Sequence, residues 1–509
     1  MRTIVYLLSL FGLAIRFRRY GALRALASIE MVPRNLVWLL RLLTFYIPHK
    51  AGLPKNPGER LAGAFTSMGP SYIKLGQTLA TRPDVVGAEV AKGLTTLQDR
   101  LPAFDFTLAR EAIESEFGGK LEEFFSHIDE TPIAAASIAQ VHRATTSDGQ
   151  VVAVKILRPG IKRRFARDIA LFTWIAEKAE RHSVKAKRLR PMAVVKTVSD
   201  SVAREMDLRL EAAAAAELSE NMQGFVGYRI PAIHWSHTSE LILTSEWISG
   251  IKLTDIEAIK ASGHDMSRLA HTIVQAFLTQ AMFHGFFHAD LHQGNLLVEE
   301  DGTLVAVDFG IMGRLSIKER RFLAEILHSF LVRDYMRVAE VHFDAGYVPK
   351  EQSLTDFAQA LRAIAEPILD LPIEEMSAGT LLTQLFATTE RFAMQTQPQL
   401  IMLQRSMVMA EGLALYLDPS TKMFEVSRPV LEAWARENLS PEILLADALR
   451  KIPSLLARLP NALERFLDQK PEVTAPIVPE RGFWQTVSPG LALAFIIIFL
   501  FATLEPLLP

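Results

Sequence analysis

The stretch HADLHQGNLLVEEDGTLVAVDFG, residues 288–310, determines how the rest of the chain is interpreted. It places Asp290 and Asn295 in one polar segment, and Asp308 follows two short apolar runs joined by the turn EEDG. Short apolar runs on either side of such a turn are typical of a β-hairpin. Carboxylate and amide oxygens are the ligands that Mg²⁺ prefers. The stretch therefore predicts a polar loop and a metal-binding aspartate connected by two strands.

Two earlier segments carry the residues that would complete a nucleotide-phosphate site. Lys155 lies in VVAVKILRP (151–159), which an Asp-Gly turn joins to SIAQVHRAT (137–145) in a predicted hairpin. Glu211 lies on a predicted helix over 197–222. In phosphoryl transfer, a lysine held by a helix carboxylate cradles the phosphates, and a carboxylate and an amide hold magnesium. These parts occur here in the order found in kinases, so the sequence predicts a kinase-type nucleotide site.

This interpretation assigns roles within the opening stretch. Asp290 is the candidate base or water-positioning residue, and Asn295 is spaced to reach a magnesium ion that Asp308 also ligates. His288 and His292 are four residues apart and would hold zinc together only if the segment were helical. Because the glycine that follows favours a loop, we expect loop histidines that brace backbone carbonyls instead.

Two parts of an ordinary protein kinase are missing from the sequence. PIAAASIAQVHRA (132–144) stands where a glycine-rich phosphate loop is expected, and alanine restricts the approach of phosphates to the backbone. The helical segment SIKERRFLAEILHSF (316–330) follows DFG within a few residues, with no long activation segment and no Ala-Pro-Glu anchor. A platform for protein substrates is therefore not expected.

The segment around the lysine strand predicts a small sheet crossed by one helix. YRIPAIHWS (228–236) and LILTSEWISG (241–250) are rich in β-branched and aromatic residues and follow the predicted helix over 197–222. We expect both runs to join the hairpin that carries Lys155.

Length and composition indicate a folded protein of several domains. The chain has 509 residues, of which 49% are hydrophobic and 22% charged, and no cysteine. A net charge of -2 gives no reason to expect nucleic-acid binding. The predicted segments are apolar helices (1–50), a helical extension (51–130), a kinase-like N-lobe (131–250), a helical C-lobe (251–440), a helical stretch with a linker (441–480) and a membrane-anchoring helix (487–505).

Both ends of the chain are apolar. IVYLLSLFGLAI (4–15) precedes the basic run RFRR, and NLVWLLRLLTFYI (35–47) is interrupted by Arg41. Each is short for a full span, so we expect interfacial helices or helices packed on the protein itself. PGLALAFIIIFLFATLEPLLP (489–509) has no charge from Gly490 to Leu504, which favours a membrane anchor.

Four features together resemble the UbiB family of atypical kinases, which is linked to coenzyme Q (ubiquinone) biosynthesis. The first is KLGQ within YIKLGQTLATRPD, with Lys74 and Gln77, and the second is the alanine-rich loop. The third is the E-x-D pair, Glu205 and Asp207, followed by Glu211. The fourth is HADLHQGN with VDFG. The resemblance covers about residues 60–345.

The resemblance implies an α+β, protein-kinase-like two-lobed fold with a helical N-terminal extension over the active site and a C-terminal membrane helix. It implies that Lys155 pairs with Glu211, and that Lys74 and Gln77 reach into the nucleotide site and occlude it together with the E-x-D residues. The implied nucleotide-binding residues are Ala134, Ala135, Ala136, Ser137, Lys155, Glu211 and Glu246.

Helix geometry refines the assignment of the acidic residues. On one continuous helix, Asp207 and Glu211 share a face, whereas Glu205 lies roughly 160° from Asp207. Glu205 and Asp207 are therefore not expected to serve one partner, and Glu211 is the expected partner of Lys155. Where family helices often carry an asparagine soon after the glutamate, this chain has EAAAAAE.

The resemblance also implies partners and a location. Family members bind ATP or ADP with Mg²⁺, act mainly as ATPases, associate with membrane lipids and support quinone synthesis. We therefore expect a bacterial inner-membrane protein with a cytoplasmic catalytic domain that contacts quinone precursors or ubiquinone-biosynthesis proteins. Two alternatives stay open: a small-molecule phosphotransferase of the aminoglycoside or choline kinase type, and a nucleotide-gated lipid-binding scaffold without turnover.

Overall fold

The computed structural model describes residues 2–29, 34–80, 82–97, 101–182, 187, 189–369, 392, 394 and 397–438. The predicted helical stretch and linker (441–480) and the predicted membrane-anchoring helix (487–505) lie outside the described residues.

Helices make up most of the described chain. Their bounds are α1 Arg2–Arg19, α2 Leu23–Ser28, α3 Arg34–Leu43, α4 Pro57–Met68, α5 Pro70–Ala80, α6 Pro83–Val86, α7 Ala88–Leu94, α8 Phe106–Phe117, α9 Leu121–Phe124, α10 Ile161–His182, α11 Pro191–Glu205, α12 Leu208–Asn221, α13 Ile256–Ala261, α14 Met266–Thr279, α15 Ile317–Leu331, α16 Tyr335–Asp344, α17 Leu354–Leu369, α18 Pro398–Leu417 and α19 Met423–Asn438. A π-helical turn, Gln280–His284, extends α14.

The strands form three small sheets. Their bounds are β1 Phe125–Ile128, β2 Ala134–Ala135, β3 Ala139–Thr146, β4 Val151–Leu157, β5 Tyr228–Arg229, β6 Ile242–Glu246, β7 Gly250–Lys252, β8 Phe286–His288, β9 Leu296–Glu299, β10 Leu304–Ala306 and β11 Met312–Arg314. The orders are β1-β3-β4-β6 with β2 on β3, β5-β10-β9-β7, and β11-β8.

The first sheet is built around the predicted lysine hairpin. Strands β3 and β4 pair antiparallel from Ala139↔Leu157 to Thr145↔Val151, which confirms the hairpin. Alternation along β4 buries Val152, Val154 and Ile156 against α8 on one face, so Lys155 lies on the opposite face. The sheet also contains β1, which lies before the start at 131 that the sequence suggested for the N-lobe.

The expectation of one continuous helix over 197–222 is wrong. Helix α11 ends at Glu205 and α12 begins at Leu208, with Asp207 in an extended conformation (φ -128°, ψ 95°) between them. The Asp207 side chain accepts the backbone N–H of Arg209, as an N-cap residue does. Capping by Asp207 therefore interrupts the helical periodicity. As a result, Asp207 and Glu211 do not share one face of a continuous helix.

The expectation for the segment 228–236 is met only in part: Ile233 forms a single antiparallel bridge with Ser245 of β6, in the first sheet. Only Tyr228 and Arg229 form a strand, β5, and it pairs in parallel with β10 in the second sheet. Strand β6, from the neighbouring run, joins β4 as expected. A proline follows Ile230 and cannot donate to a strand ladder, which keeps β5 short.

The C-lobe core surrounds α14, with α18 and α19 packed against it. One stretch among the described helices, Gln399–Leu417, is long and apolar enough to cross a membrane by length and composition, and 39% of it is buried. Leu403, Leu413 and Leu417 from this helix lie in the C-lobe core. These contacts are typical of a core helix, and they fix α18 beside the loop that carries Asp290.

The N-terminal extension has a core of its own. Helices α1, α2, α4, α5 and α7 pack around Leu61, Phe65 and Leu94, and α10 closes this core through Phe172 and Ala176. From the first apolar segment, Leu13 packs against this core and Ala14 is buried, whereas Leu8 and Phe11 are exposed.

Candidate nucleotide site

The site centres on Lys155, in the middle of the first sheet. Lys155 lies between Val141 of β3 and Leu243 of β6. Its Nζ donates to Glu211 Oε1 at 2.7 Å and lies 3.4 Å from Asp308 Oδ1. The structure thus brings together three residues from a stretch in which the first and last are 153 positions apart.

The three charges shift one another's protonation. Burial disfavours the charge on Lys155, but the Asp308 and Glu211 carboxylates outweigh burial and raise the pKa of Lys155. The Lys155 ammonium lowers the pKa of Asp308. Burial raises the pKa of Glu211, against the attraction of Lys155. Two carboxylates facing one ammonium leave a net negative charge, and this favours binding of a further cation.

Glu211 is held in place because its helix belongs to two cores. Leu208 and Ala212 of α12 pack under the first sheet. Ala215 and Leu218, further along the same helix, pack in the C-lobe core. A helix fixed at both ends gives the Glu211 carboxylate one position relative to β4.

Asp308 occupies a left-handed backbone conformation with φ 66°. Few non-glycine residues adopt such a φ, and those that do cluster at functional sites. The hydrogen bond from Val307 N to Asn295 O fixes the start of this turn at 2.9 Å. Gly310 N donates to Asp308 Oδ1 at 3.4 Å, so the carboxylate is held towards Lys155.

The polar loop is stabilised by its own backbone. Asn295 Nδ2 donates to Asp290 O at 3.1 Å, which turns the amide oxygen of Asn295 the other way. His288 Nδ1 accepts Asp290 N–H at 3.2 Å, and His292 Nδ1 accepts Gly294 N–H at 3.0 Å. Both rings thus accept amide N–H groups through Nδ1 in these contacts.

The alanine-rich loop is a tight turn at the entrance to β3. Ala136 N donates to Ala139 O at 2.8 Å, and Ser137 is buried beneath the turn. The Arg158 guanidinium donates to Ala136 O at 2.8 Å and to Pro102 O at 2.7 Å. Arg158 therefore ties the loop to the segment that leaves the N-terminal extension, while Ala134 remains exposed at its edge.

Glu246, at the end of β6, is placed differently from the other nucleotide-binding candidates. Its carboxylate accepts a hydrogen bond of 2.9 Å from each terminal nitrogen of Arg229. Arg229 also donates to Glu299 of β9 at 2.7 Å, so it links the first sheet to the second. The Glu246 side chain is thus engaged by Arg229, and a nucleotide contact at this position would involve the main chain. No local sequence pattern indicates this cluster, because its members come from three separate strands.

The KLGQ segment lies on α5, and its lysine reaches the E-x-D segment. Lys74 Nζ is 2.7 Å from Glu205 Oε1, at the last residue of α11. A Cβ on Gly76 would lie 2.3 Å from Leu97 Cδ1 and 2.6 Å from Phe65 Cδ2, so a larger residue here would require these side chains to shift. Gln77 is half-buried on the same helix. The Asp207 carboxylate is engaged by Arg209, so Glu205 and Asp207 serve different partners.

A buried pair anchors α5 against α10. Ser71 Oγ donates to Asp168 Oδ2 at 2.7 Å, and both residues are buried. Arg164 of α10 also donates to the carbonyl of Met68, just before α5 begins. The helix that carries Lys74 is therefore fixed to the kinase-like part of the chain by polar contacts as well as by packing.

These residues suit a nucleotide with Mg²⁺. The oxygens of Asn295 and Asp308 are hard donors of the kind Mg²⁺ takes, and the net negative charge beside Lys155 favours a cation. Lys155 has the position from which a kinase lysine meets the α- and β-phosphates. No group of three or more histidine and carboxylate side chains is arranged to hold a metal within the ranges that the structure covers.

A lysine strand, a helix glutamate, a polar catalytic loop and a DFG aspartate define a protein-kinase-like protein. The model of the ABC1 atypical kinase-like domain matches residues 96–342, and that of the UbiB helical domain matches residues 361–422. The chain belongs to the UbiB family of atypical kinases.

Relatives and one solved structure place the chain among known proteins. Probable protein kinase UbiB of Pseudomonas putida (strain W619) is 39% identical over 88% of this chain and 84% of its own length. Its counterpart in Pseudomonas aeruginosa (strain LESB58) is 37% identical over 90% of this chain and 87% of its own length. The complex structure of Rv3197-erythromycin from Mycobacterium tuberculosis is similar at 22% identity, covering 72% of this chain and 93% of that one, with a TM-score of 0.49.

The ion pair of Lys155 and Glu211 predicts a measurable coupling energy. Replacing Lys155 with Met leaves Glu211 buried without its cation, and we expect the free energy of unfolding to fall by roughly 3 kcal/mol. The double variant Lys155→Met/Glu211→Gln should lose less than the sum of the two single changes. Denaturant unfolding of the four proteins measures this coupling.

The matched control is Lys196→Met, which breaks an exposed ion pair with Asp200 of 2.9 Å. An exposed pair of this kind contributes at most about 0.5 kcal/mol. If Lys155→Met were as stable as Lys196→Met, the buried pair would not have the structural role described here.

Proposed function

We propose that this protein is a membrane-associated, Mg²⁺-dependent ATPase or atypical kinase that supports ubiquinone biosynthesis in bacteria. The observation that carries the proposal is the placement of Lys155 between Glu211 and Asp308, 2.7 Å and 3.4 Å away, beside the loop that holds Asn295. The ubiquinone role comes from the family resemblance, and the curated relatives of this chain are bacterial.

Each part of the site has a role in this proposal. Lys155, held by Glu211, binds the α- and β-phosphates of ATP, and Asn295 and Asp308 hold Mg²⁺. The metal neutralises phosphate charge when it is bound. Asp290 orients the nucleophile from the loop. The alanine-rich turn from Ala134 to Ser137 covers the phosphates, and the main chain at the end of β6 faces the base.

The surroundings of the site favour hydrolysis, or a small or lipid acceptor, over a protein substrate. The chain passes from Asp308 through the short strand β11 to α15, which begins at Ile317, so little length remains for a peptide-binding segment. Lys74 and Glu205 join the helical extension to the N-lobe at 2.7 Å. The extension also argues against an aminoglycoside or choline kinase type of phosphotransferase, and the nucleotide-gated scaffold is an outcome of the test below.

An exposed apolar face near the N-terminus supports membrane association. Trp38 is 65% exposed, Phe45 71% and Tyr46 58%, although all three are large apolar side chains. Leu39, Leu42 and Leu43 of α3 are exposed beside them, whereas Val37 and Thr44 face the protein. Large exposed apolar patches mark interaction sites, and aromatic residues are typical of the membrane interface. We call residues 38–46 the apolar face.

Basic residues lie within one short loop of the apolar face. Lys50 follows Tyr46 by four residues, and its N–H donates to Arg19 O at the basic end of α1. Partial burial and the charges of Arg18, Arg60 and Arg24 lower the pKa of His49, which reports a positive local field. An apolar surface beside positive charge is suited to the interface of an anionic bilayer. Because the proposed site takes ATP, the catalytic domain would lie on the cytoplasmic side of the inner membrane.

Loss of the metal-binding carboxylate should abolish turnover. We expect Asp308→Asn to lower Mg²⁺-dependent ATP hydrolysis by about 100-fold or more, because the carboxylate charge is lost where Mg²⁺ and the phosphates meet. Phosphate release measures the rate, and calorimetry measures ATP binding. A strain whose sole copy carries Asp308→Asn should contain less ubiquinone.

The matched control is Asp301→Asn, in the turn between β9 and β10, where the Asp301 carboxylate accepts hydrogen bonds from Thr303. ATP binding without hydrolysis in the unaltered protein, at every lipid composition, would favour the scaffold. Equal turnover in Asp308→Asn and Asp301→Asn would contradict the assigned site.

Contact with a bilayer should be detectable at the apolar face itself. We expect anionic vesicles to slow hydrogen exchange over residues 38–46 of the full chain. Trp38→Ser/Phe45→Ser should weaken this protection by more than about 10-fold, because each side chain contributes roughly 1.5 kcal/mol of apolar burial. Trp235→Ser, at a residue 52% exposed in the N-lobe, is the control. Unchanged exchange over 38–46 would rule out contact through this face.

A further inference from the structure

A helix from outside the kinase-like domain contacts the proposed catalytic loop. Arg405, on α18, places a terminal guanidinium nitrogen 3.6 Å from Asp290 Oδ1. The Arg405 side chain is 63% exposed and that of Asp290 is 28% exposed, so the pair lies at the open side of the site. Arg405 belongs to the segment 361–422 that matches the UbiB helical domain.

The base of Arg405 is held rigidly by its neighbours. Leu403 and Ser406, on either side of it, are both buried, and Ser406 Oγ donates to Met402 O at 2.9 Å. Helix α18 packs along α14 in the C-lobe core. The packing therefore fixes where the arginine leaves the helix, and only the outer part of the side chain must be ordered by its contact with Asp290.

Arg405 supplies a permanent positive charge to a carboxylate that otherwise faces a histidine. His292 Nε2 lies 3.9 Å from Asp290 Oδ2, beyond hydrogen-bond distance. The Nδ1 atom of His292 accepts a hydrogen bond from Gly294 N–H. Lys155, for its part, is engaged by Glu211 and Asp308.

We propose that Arg405 is a positioning residue for Asp290, a role that rests on the proposed ATP hydrolysis. The positive charge of its guanidinium attracts Oδ1 and leaves Oδ2 directed to the attacking water. The water oxygen bonds to the γ-phosphorus while the bond from phosphorus to the bridging oxygen of ADP breaks. The proton of the water passes to Asp290 Oδ2 and then to solvent, and the products are ADP and inorganic phosphate.

The UbiB helical segment therefore completes the site that the kinase-like domain begins. Residues 96–342 provide Lys155, Asp290 and Asp308, but the cation that orients Asp290 comes from α18. Any movement of α18 relative to the loop would alter the direction of the Asp290 carboxylate and hence the rate.

The test compares kcat and KM for Mg·ATP in the full chain carrying Arg405→Ala, Arg405→Lys or Arg362→Ala. We expect Arg405→Ala to lower kcat by roughly 100-fold with little change in KM, because ATP itself is bound elsewhere. Arg405→Lys should retain part of the rate, since lysine keeps the charge but not the planar fork. Millimolar guanidinium should restore turnover to Arg405→Ala but should not raise the turnover of the other variants. Urea at the same concentration is the control for a general effect of the additive.

Arg362→Ala is matched to Arg405→Ala in exposure and contact. Arg362 is 64% exposed and lies 3.5 Å from Glu366 on α17, in the same helical segment. If the Arg405 ion pair were merely structural, both substitutions would change kcat to a similar extent, and guanidinium would not restore it. Equal unfolding midpoints would show that both variants are folded.

The outcomes separate this inference from the proposed function. If the unaltered protein hydrolyses ATP and Arg405→Ala keeps the same kcat, the role of Arg405 is overturned and the proposed function is not. A fall in kcat that guanidinium does not reverse would have the same meaning. A rise in kcat would also overturn it and would mark the contact as inhibitory. Bound ATP without hydrolysis in the unaltered protein would overturn the hydrolysis, and the role of Arg405 with it.

Discussion

The ion pair between Lys155 and Glu211 is the constraint on which the rest of the site depends. A lysine on a central strand and a glutamate on a helix are both largely buried, and each would be strongly disfavoured there without the other. Their pairing fixes α12 against β4, and Asp308 then adds a second carboxylate 3.4 Å from the same ammonium. The excess negative charge suits the cation and polyphosphate that the proposed function requires at this site.

Further ion pairs connect this centre to parts of the chain that are remote in sequence. Arg229 joins Glu246 of the first sheet to Glu299 of the second, so one guanidinium links the two sheets. Lys74 joins the N-terminal extension to the end of α11, and Arg405 joins the helical segment to the catalytic loop. The kinase-like domain is thus contacted by both flanking segments at its charged positions, which distinguishes this arrangement from a domain with independent neighbours.

Much of the nucleotide site could be predicted from the sequence, because local patterns indicate its strands and its polar residues. The Asp-Gly turn and the alternating residues of 137–159 predicted the lysine hairpin, and the order of the polar residues predicted which side chains would meet. The break between α11 and α12 was missed, because the periodicity continues through Asp207 while its capping hydrogen bond ends the pattern. The positions of β5 and Arg405 depend on tertiary packing, and no local signal marks an arginine on a core helix as a partner of Asp290.

The most direct test of the central claim is chemical labelling with an acyl phosphate of ATP, which transfers its acyl group to a lysine beside the bound phosphates. Mass spectrometry of the full chain would identify the modified lysine in the presence of Mg²⁺, with and without competing ATP. The arrangement described here predicts that Lys155 is the principal labelled residue and that ATP protects it. Labelling of Lys155 that ATP does not reduce, together with ATP-protected labelling of a lysine outside the site, would contradict it.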